Sequence, residues 1–268
     1  MCGTCGCGES DVRVEVLASD VPAHHEEAAG HRHAHDPVPG VVEIETALLA
    51  KNDHLAAHNR TWLAARGIVA LNLMSSPGSG KTSLLCRTVA ELAQERPVAV
   101  VEGDQETRLD AERIRATGAP VVQINTGAGC HLDAGMLARG LAELRPADGS
   151  LVIVENVGNL VCPALFDLGE AARVVVVSVT EGEDKPLKYP TMFAGADVVV
   201  INKIDLLPHV DVRLDHLVGH CRSVNAGALV LPLSVTTGEG MAAWCDWLLT
   251  RQPAPVVTPH PRVDSSTV

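Results

Sequence analysis

The sequence predicts a doubly wound α/β fold with a mainly parallel sheet of about seven strands. Three observations carry that expectation. Val/Ile/Leu runs recur along the chain without polar alternation, the pattern of strands buried on both faces of a parallel sheet. Helix-period stretches separate those runs, and strand–helix alternation marks βαβ units. The third is Ser75-Ser76-Pro77-Gly78-Ser79-Gly80-Lys81-Thr82, which comes after an apolar run and opens a helical stretch, the setting of a phosphate-binding loop.

Residues 1–40 differ in composition from the rest of the chain. Met1-Cys2-Gly3-Thr4-Cys5-Gly6-Cys7-Gly8 is rich in Cys and Gly, and His24, His25, His31, His33 and His35 come before Pro37 and Pro39. With little apolar surface to bury, this stretch is expected to be a flexible, metal-binding arm. From Val41 to Arg66, Ile44, Leu48, Leu55 and Trp62 recur at helical spacings, and Gly67 supplies a stop. That helix opens a nucleotide-binding domain over residues 41–250. Strands are expected at Ile68–Met74, Val98–Val101, Val121–Ile124, Leu151–Val154, Val174–Val179, Val198–Ile201 and Leu229–Leu233. Helices are expected at Thr82–Gln94, Leu109–Thr117, Ala134–Leu144, Val212–Val224 and Met241–Leu249. Residues 251–268, Pro-rich from 253 onward, are read as a disordered tail.

A chain of 268 residues suits one domain with appendages. Aromatic residues are only 2% against 46% hydrophobic, so the core must be aliphatic. With 21 basic and 33 acidic residues the net charge is −12, and no Lys/Arg cluster exists to form a general nucleic-acid surface. No apolar run reaches the roughly 18 residues of a membrane span, and the N-terminus lacks signal-peptide character. A cytoplasmic protein with reduced thiols is therefore expected. Its eight cysteines are then metal ligands or small buried hydrophobes, the second reading applying to Cys86, Cys221 and Cys245.

The loop residues Gly78, Ser79, Gly80, Lys81, Thr82 and Ser83 are candidates to hold phosphates. Glycines let backbone amides approach, Lys81 reaches the β/γ oxygens, and the Thr82 hydroxyl binds Mg²⁺. The general consensus begins with Gly where this chain has Ser75. Asn202-Lys203-Ile204-Asp205, at the end of a later apolar run, adds the base. A carboxylate accepts from guanine N1–H and the 2-amino group, donors that adenine lacks, so a buried Asp205 selects GTP and GDP. Ser234, just past the last strand, lies where a loop can contact the base edge. Asp104 and Glu155 end strand runs at one sheet edge, where carboxylates hold Mg²⁺ waters or orient the attacking water. Lys81, Asp104 and Glu155 are accordingly the candidate catalytic residues. No strong general base stands out, so slow turnover is expected.

Two Cys/His groups have ligand character. Cys2, Cys5 and Cys7 can chelate one soft or borderline ion, Ni²⁺ or Zn²⁺, with a fourth ligand from the terminus, backbone or a histidine. The arm histidines are either weak metal ligands or a polar linker. Cys130-His131 lies just past one strand run, and Cys162 lies past Glu155 within Glu155-Asn156-Val157-Gly158-Asn159-Leu160-Val161-Cys162-Pro163. Loops at one sheet edge would bring these three together beside the nucleotide. Metal affinity and nucleotide state would then be coupled, and reciprocally so.

Several blocks together resemble the HypB family of GTPases, which help insert nickel into [NiFe]-hydrogenase. They are Met-Cys-x-x-Cys-Gly-Cys at the start, Ser75–Thr82, Glu102-Gly-Asp-Gln-x-Thr107, Asn125-Thr-Gly-x-Gly-Cys-His131, Glu155–Pro163, Thr180–Pro190 and Asn202–Asp205. The resemblance spans residues 41–250 and the first eight, and Ser75 belongs to the family pattern. It implies a SIMIBI-class G domain that forms a homodimer on binding GTP, hydrolyses it slowly, and passes nickel to the hydrogenase large subunit with a HypA-like chaperone. It also implies a Ni²⁺ or Zn²⁺ site at the dimer interface on the residues matching Cys130, His131 and Cys162, and a nickel site matching Cys2, Cys5 and Cys7. Lys185 and Lys188 in the Thr180–Pro190 block are candidates to touch phosphate or the partner subunit. The modest His content argues against nickel storage. Competing readings are a related GTPase delivering metal to urease or delivering zinc, and a nickel-storage protein using GTP only as a conformational ligand.

Overall fold

A computed structural model describes residues 39–104, 109–127 and 129–255. The expected arm with Cys2, Cys5, Cys7 and its histidines lies outside the described residues, as does the tail from residue 256. The chain divides into two compact units, Met1–Leu49 and Ala50–Val268. Of the first, the described part is the opening of helix α1 (Pro39–Ala65).

The second unit contains the rest of α1 and then β1 (Val69–Ser75), α2 (Lys81–Leu92), β2 (Val98–Asp104), α3 (Leu109–Arg115), β3 (Val121–Asn125), α4 (Ala134–Leu144) and β4 (Leu151–Glu155). It continues with β5 (Ala172–Ser178), α5 (Lys185–Lys188), α6 (Pro190–Ala194), β6 (Val198–Asn202), α7 (Leu214–Val224), β7 (Leu229–Pro232) and α8 (Met241–Leu249). Gly67 closes α1 at φ 66°, a left-handed conformation that costs glycine nothing.

All seven strands form one parallel sheet in the order β3-β2-β4-β1-β5-β6-β7. This is the doubly wound fold the sequence predicted. Every residue of β1, β4 and β6 is buried, which explains why those strands read as unbroken apolar runs. The edge strands β3 and β7 are half-exposed. Helices α2 and α8 cover one face, where Leu84, Leu85, Leu92, Trp244 and Leu248 pack on Leu71, Leu73, Val174 and Val176. The opposite face is covered by Leu63 of α1 with Leu137 and Leu141 of α4 on one half, and by Met192, Phe193, Leu217 and Cys221 on the other. The core indole of Trp244 donates its N–H to Thr88 Oγ1 at 2.8 Å, so its polar edge is satisfied.

Differences from the expected elements sit at their ends. β2 runs on to Asp104, drawing Glu102 and Asp104 into the sheet. α3 ends at Arg115. The 3₁₀ turns Cys162–Leu165 and Ile204–His209 and the one-turn helices α5 and α6 are too short to show a helical period, and all four contain proline.

Candidate functional site

Because the strands are parallel, their C-terminal ends share one edge, and the loops leaving β1, β2, β4 and β6 meet there. They enclose a cleft of about 500 Å³ lined by the phosphate loop, Glu102, Asp104, Glu155, Asn156 and Lys203, with Asp110 and Arg113 at its side.

Gly78 (φ 77°) and Gly80 (φ 98°) give the Ser75–Thr82 loop its curvature. A Cβ on Gly80 would lie 2.5 Å from Asn202 Nδ2, so a side chain here would have to displace Asn202. Lys81 is buried, and its ammonium donates to Ser75 Oγ at 2.7 Å. The serine in the first loop position is thus a partner for the lysine. Burial lowers the Lys81 pKa, opposed chiefly by the Glu155 carboxylate. Ser83 accepts from Arg113 at 3.1 Å.

Thr82 Oγ1 donates to Glu155 Oε1 at 2.7 Å. Glu155 stands in register with Glu102 across the β2–β4 pairing, and both are buried. The Oε2 atoms of these two carboxylates are buried and have no hydrogen-bond partner among the described residues. Burial pushes Glu155 up to about 7, the neighbouring Lys81 opposing it. Burial and then the adjacent Glu155 push Glu102 up to about 8. Asp104, at the end of β2, lines the same cleft and accepts from Thr126 N at 2.9 Å through its carbonyl. Glu102 is pushed further up than Glu155, although only Glu155 and Asp104 were expected from the sequence. Its signal in the sequence was the Glu-Gly-Asp triplet, read there for Asp104.

Asn202 and Lys203 brace the phosphate loop from behind. Asn202 Nδ2 donates to Ser79 O at 2.9 Å, and Lys203 Nζ to Gly78 O at 2.7 Å. Lys203 adopts φ 64°, which turns the chain sharply after β6 and presents Asp205. Ser234 is fully buried; its hydroxyl donates to Asp205 Oδ1 at 2.6 Å and accepts from Thr237 N at 3.1 Å. Its hydroxyl is therefore committed to orienting the Asp205 carboxylate.

The Cys130 and Cys162 sulfurs and a ring nitrogen of His131 lie within 4.8 Å of one another, the one group of this kind among the described residues. Cys130 Sγ is 3.7 Å from His131 Nδ1. The imidazole stacks on Phe166 at 3.9 Å between ring centroids, a contact sequence spacing did not suggest. Burial lowers the His131 pKa, Asp133 opposing it, which favours the neutral, ligating form. Two thiolates and an imidazole suit Ni²⁺ or Zn²⁺. Asn156 Oδ1, beside Glu155, accepts from Leu132 N at 3.1 Å, and Asn159 Nδ2 donates to Cys130 O at 3.3 Å. Lys185 pairs with Glu181 at 3.7 Å, and the exposed Lys188 with Asp184 at 2.6 Å. Glu181 in turn contacts Ser76 of the phosphate loop.

Comparison with known proteins places this site in a family. Residues 69–232 match the family described as CobW/HypB/UreG, nucleotide-binding domain. A hydrogenase maturation factor HypB of Azotobacter vinelandii is 48% identical, the match covering 92% of this chain and 91% of that one. The crystal structure of HypB from Helicobacter pylori in complex with nickel superposes with a TM-score of 0.69 at 39% identity, covering 74% of this chain and 94% of that one. At the level of fold alone, the GDP complex of signal recognition particle 54 kDa protein from Aeropyrum pernix superposes with a TM-score of 0.51 at 18% identity, covering 69% of this chain and 46% of that one. The sheet is thus shared with that protein at the level of fold. The chain belongs to the HypB hydrogenase maturation factors, a branch of the CobW/HypB/UreG family.

Proposed function

We propose that this protein is a GTP-hydrolysing nickel metallochaperone in which nucleotide state controls a metal site on Cys130, His131 and Cys162. The observation that carries this reading is one segment of chain. The stretch leaving β4 bears Glu155, which bonds Thr82 of the phosphate loop, and then Cys162 of the thiolate–imidazole group. A change that orders Glu155 around a γ-phosphate therefore acts on the metal ligands through the same backbone.

Guanine is selected by Asp205, held by Ser234, while Lys81 and the loop amides bind the phosphates. The buried Oε2 atoms of Glu102 and Glu155, which have no partner among the described residues, are with the Thr82 hydroxyl hard donors that fit Mg²⁺. Thr82, Glu155 and Asp104 would hold it, where it neutralises phosphate charge. The protein's own residues then position the triphosphate and water, consistent with slow turnover. Nickel is cargo, and Zn²⁺ is the alternative ion for the same donors. The wider reading includes GTP-dependent homodimerisation, a nickel-binding arm on Cys2, Cys5 and Cys7, and transfer to a hydrogenase large subunit with a HypA-like partner. The family membership and the nickel in the Helicobacter pylori relative support it.

Phosphate release and nickel titration test the proposal together. Expected results are GTP hydrolysis abolished by Lys81→Ala, and nickel isotherms that differ between GDP and a non-hydrolysable GTP analogue. Absence of phosphate release above buffer would favour the storage reading, with GTP as a conformational ligand.

A further inference from the structure

The helix α1 meets the chain just past both candidate ligand loops through a single stripe of residues. Asn52, Ala56, Asn59 and Arg60 are spaced to fall on one helical face. Asn52 Oδ1 accepts from Ala134 N at 2.9 Å, three residues past His131. Its Nδ2 donates to Asp167 O at 2.8 Å, just beyond the Cys162–Leu165 turn. Asn59 Nδ2 donates both its hydrogens, to Ala134 O at 2.8 Å and to Leu168 O at 3.0 Å. Arg60 grips both Asp167 carboxylate oxygens at 2.9 and 2.7 Å. Gly169, at φ 88°, lies so close that a Cβ there would collide with the Ala56 carbonyl.

We infer that Asn52 and Asn59 are positioning residues for the metal site: they fasten the Cys130-His131 loop and the Cys162 loop to one rigid helix face. Both asparagines are at most 5% exposed, and a buried amide is costly unless its hydrogen bonds are made. Their side-chain bonds go to backbone atoms of Ala134, Asp167 and Leu168, just past these two loops and 75 to 115 residues away along the chain. An apolar side chain would fill the same space without fixing the loops' separation. That separation matters because the three ligands come from two segments with little regular structure. His131 and Phe166, stacked across the gap, are carried by the same two segments. Outer partners of this kind set ligand spacing before the ion arrives.

This inference rests on the reading of Cys130, His131 and Cys162 as metal ligands, so the test separates the two. The full-length chain carrying Cys2, Cys5 and Cys7→Ser is titrated with Ni²⁺, so that one ligand group is read. Asn52→Ala and Asn59→Ala are each expected to weaken nickel about 10- to 100-fold and to alter the thiolate-to-nickel absorption, with GDP affinity unchanged. Asn52→Asp keeps the acceptor for Ala134 N and should lose less; it also serves if an alanine variant fails to fold. An unchanged nickel isotherm and spectrum in a folded variant overturns the inference. So does a parallel loss of nickel and GDP affinity, which marks a general structural role. Unchanged nickel binding in Cys162→Ser overturns the metal-site reading itself, and the inference with it.

Discussion

Asn156 and Leu132 join the two halves of the site: the Asn156 side-chain oxygen accepts the Leu132 backbone amide at 3.1 Å. Asn156 comes immediately after the carboxylate that meets the phosphate loop, and Leu132 immediately after His131. The same amide donates from Nδ2 to Asn72 Oδ1 at 3.1 Å, so the junction is anchored to β1. A shift of the β4 loop therefore moves the Cys130-His131 loop directly. Coupling between two ligands must run equally in both directions. Asn156→Ala should cost about 1–3 kcal/mol of stability through the orphaned amides. It should leave nickel and GDP binding in place while making nickel isotherms in GDP and in a GTP analogue coincide. Calorimetric titration decides it; a persisting difference assigns the coupling elsewhere.

In the proposed function, base selection is assigned to Asp205, which Ser234 orients. Replacing the carboxylate in Asp205→Asn presents an amide donor to guanine N1–H. GTP affinity should fall about 10- to 100-fold and xanthosine triphosphate should gain. Ser234→Ala should weaken GTP by less and leave the preference for guanine intact. Competition binding with GTP, XTP and ATP measures both, and an unchanged preference in Asp205→Asn removes the base-recognition argument.

The paired carboxyls make stability depend on pH. Burial raises Glu155 to about 7 and Glu102 to about 8, so each favours its protonated form in the folded chain. Their contribution is full below the ordinary carboxyl value of 4.5 and is lost as pH rises through about 7 and then about 8. Without nucleotide and Mg²⁺, the melting temperature should fall between about pH 6 and about pH 8.5. Glu102→Gln should flatten the upper part of that slope. Thermal melts across the interval check the sign; a rising curve that Glu102→Gln leaves unaltered contradicts it.

Gly80 has no room for a methyl group. Gly80→Ala adds a Cβ 2.5 Å from Asn202 Nδ2 at a φ of 98° that side chains rarely adopt. The expected cost is about 1–3 kcal/mol, with the Asn202–Ser79 bond broken and GDP affinity reduced. Melting and GDP titration of this variant, beside Gly78→Ala where space is open, separate collision from backbone strain.

Particular elements show how far the sequence could be read. The strands from Leu151 and Val198 were legible because residues buried on both faces leave an unbroken apolar run. Ser75–Thr82 and Asn202–Asp205 were legible because their chemistry is local to a few neighbouring residues. The α5 and α6 turns were not, since four or five residues with a proline first or second show no period. Glu102 was passed over because a carboxylate's environment is set by what the next strand places beside it, here Glu155. Ser234 lay in the expected region, but its direction toward Asp205 depends on how β7 registers on β6.

By itself the sequence determined the seven strands and the longer helices, the Gly-rich Ser75–Thr82 loop, the Asn202–Asp205 block and the presence of two Cys/His groups, since each is a matter of spacing along the chain. Only the tertiary structure decided that β4 inserts between β1 and β2, setting Glu155 against Thr82 and Glu102. It also decided that Cys130, His131 and Cys162 converge and that Asn156 ties them to the nucleotide end. Periodicity encodes the state of a segment through its own side chains, whereas strand order and register come from packing whole faces together, so distant residues become neighbours only in the folded sheet.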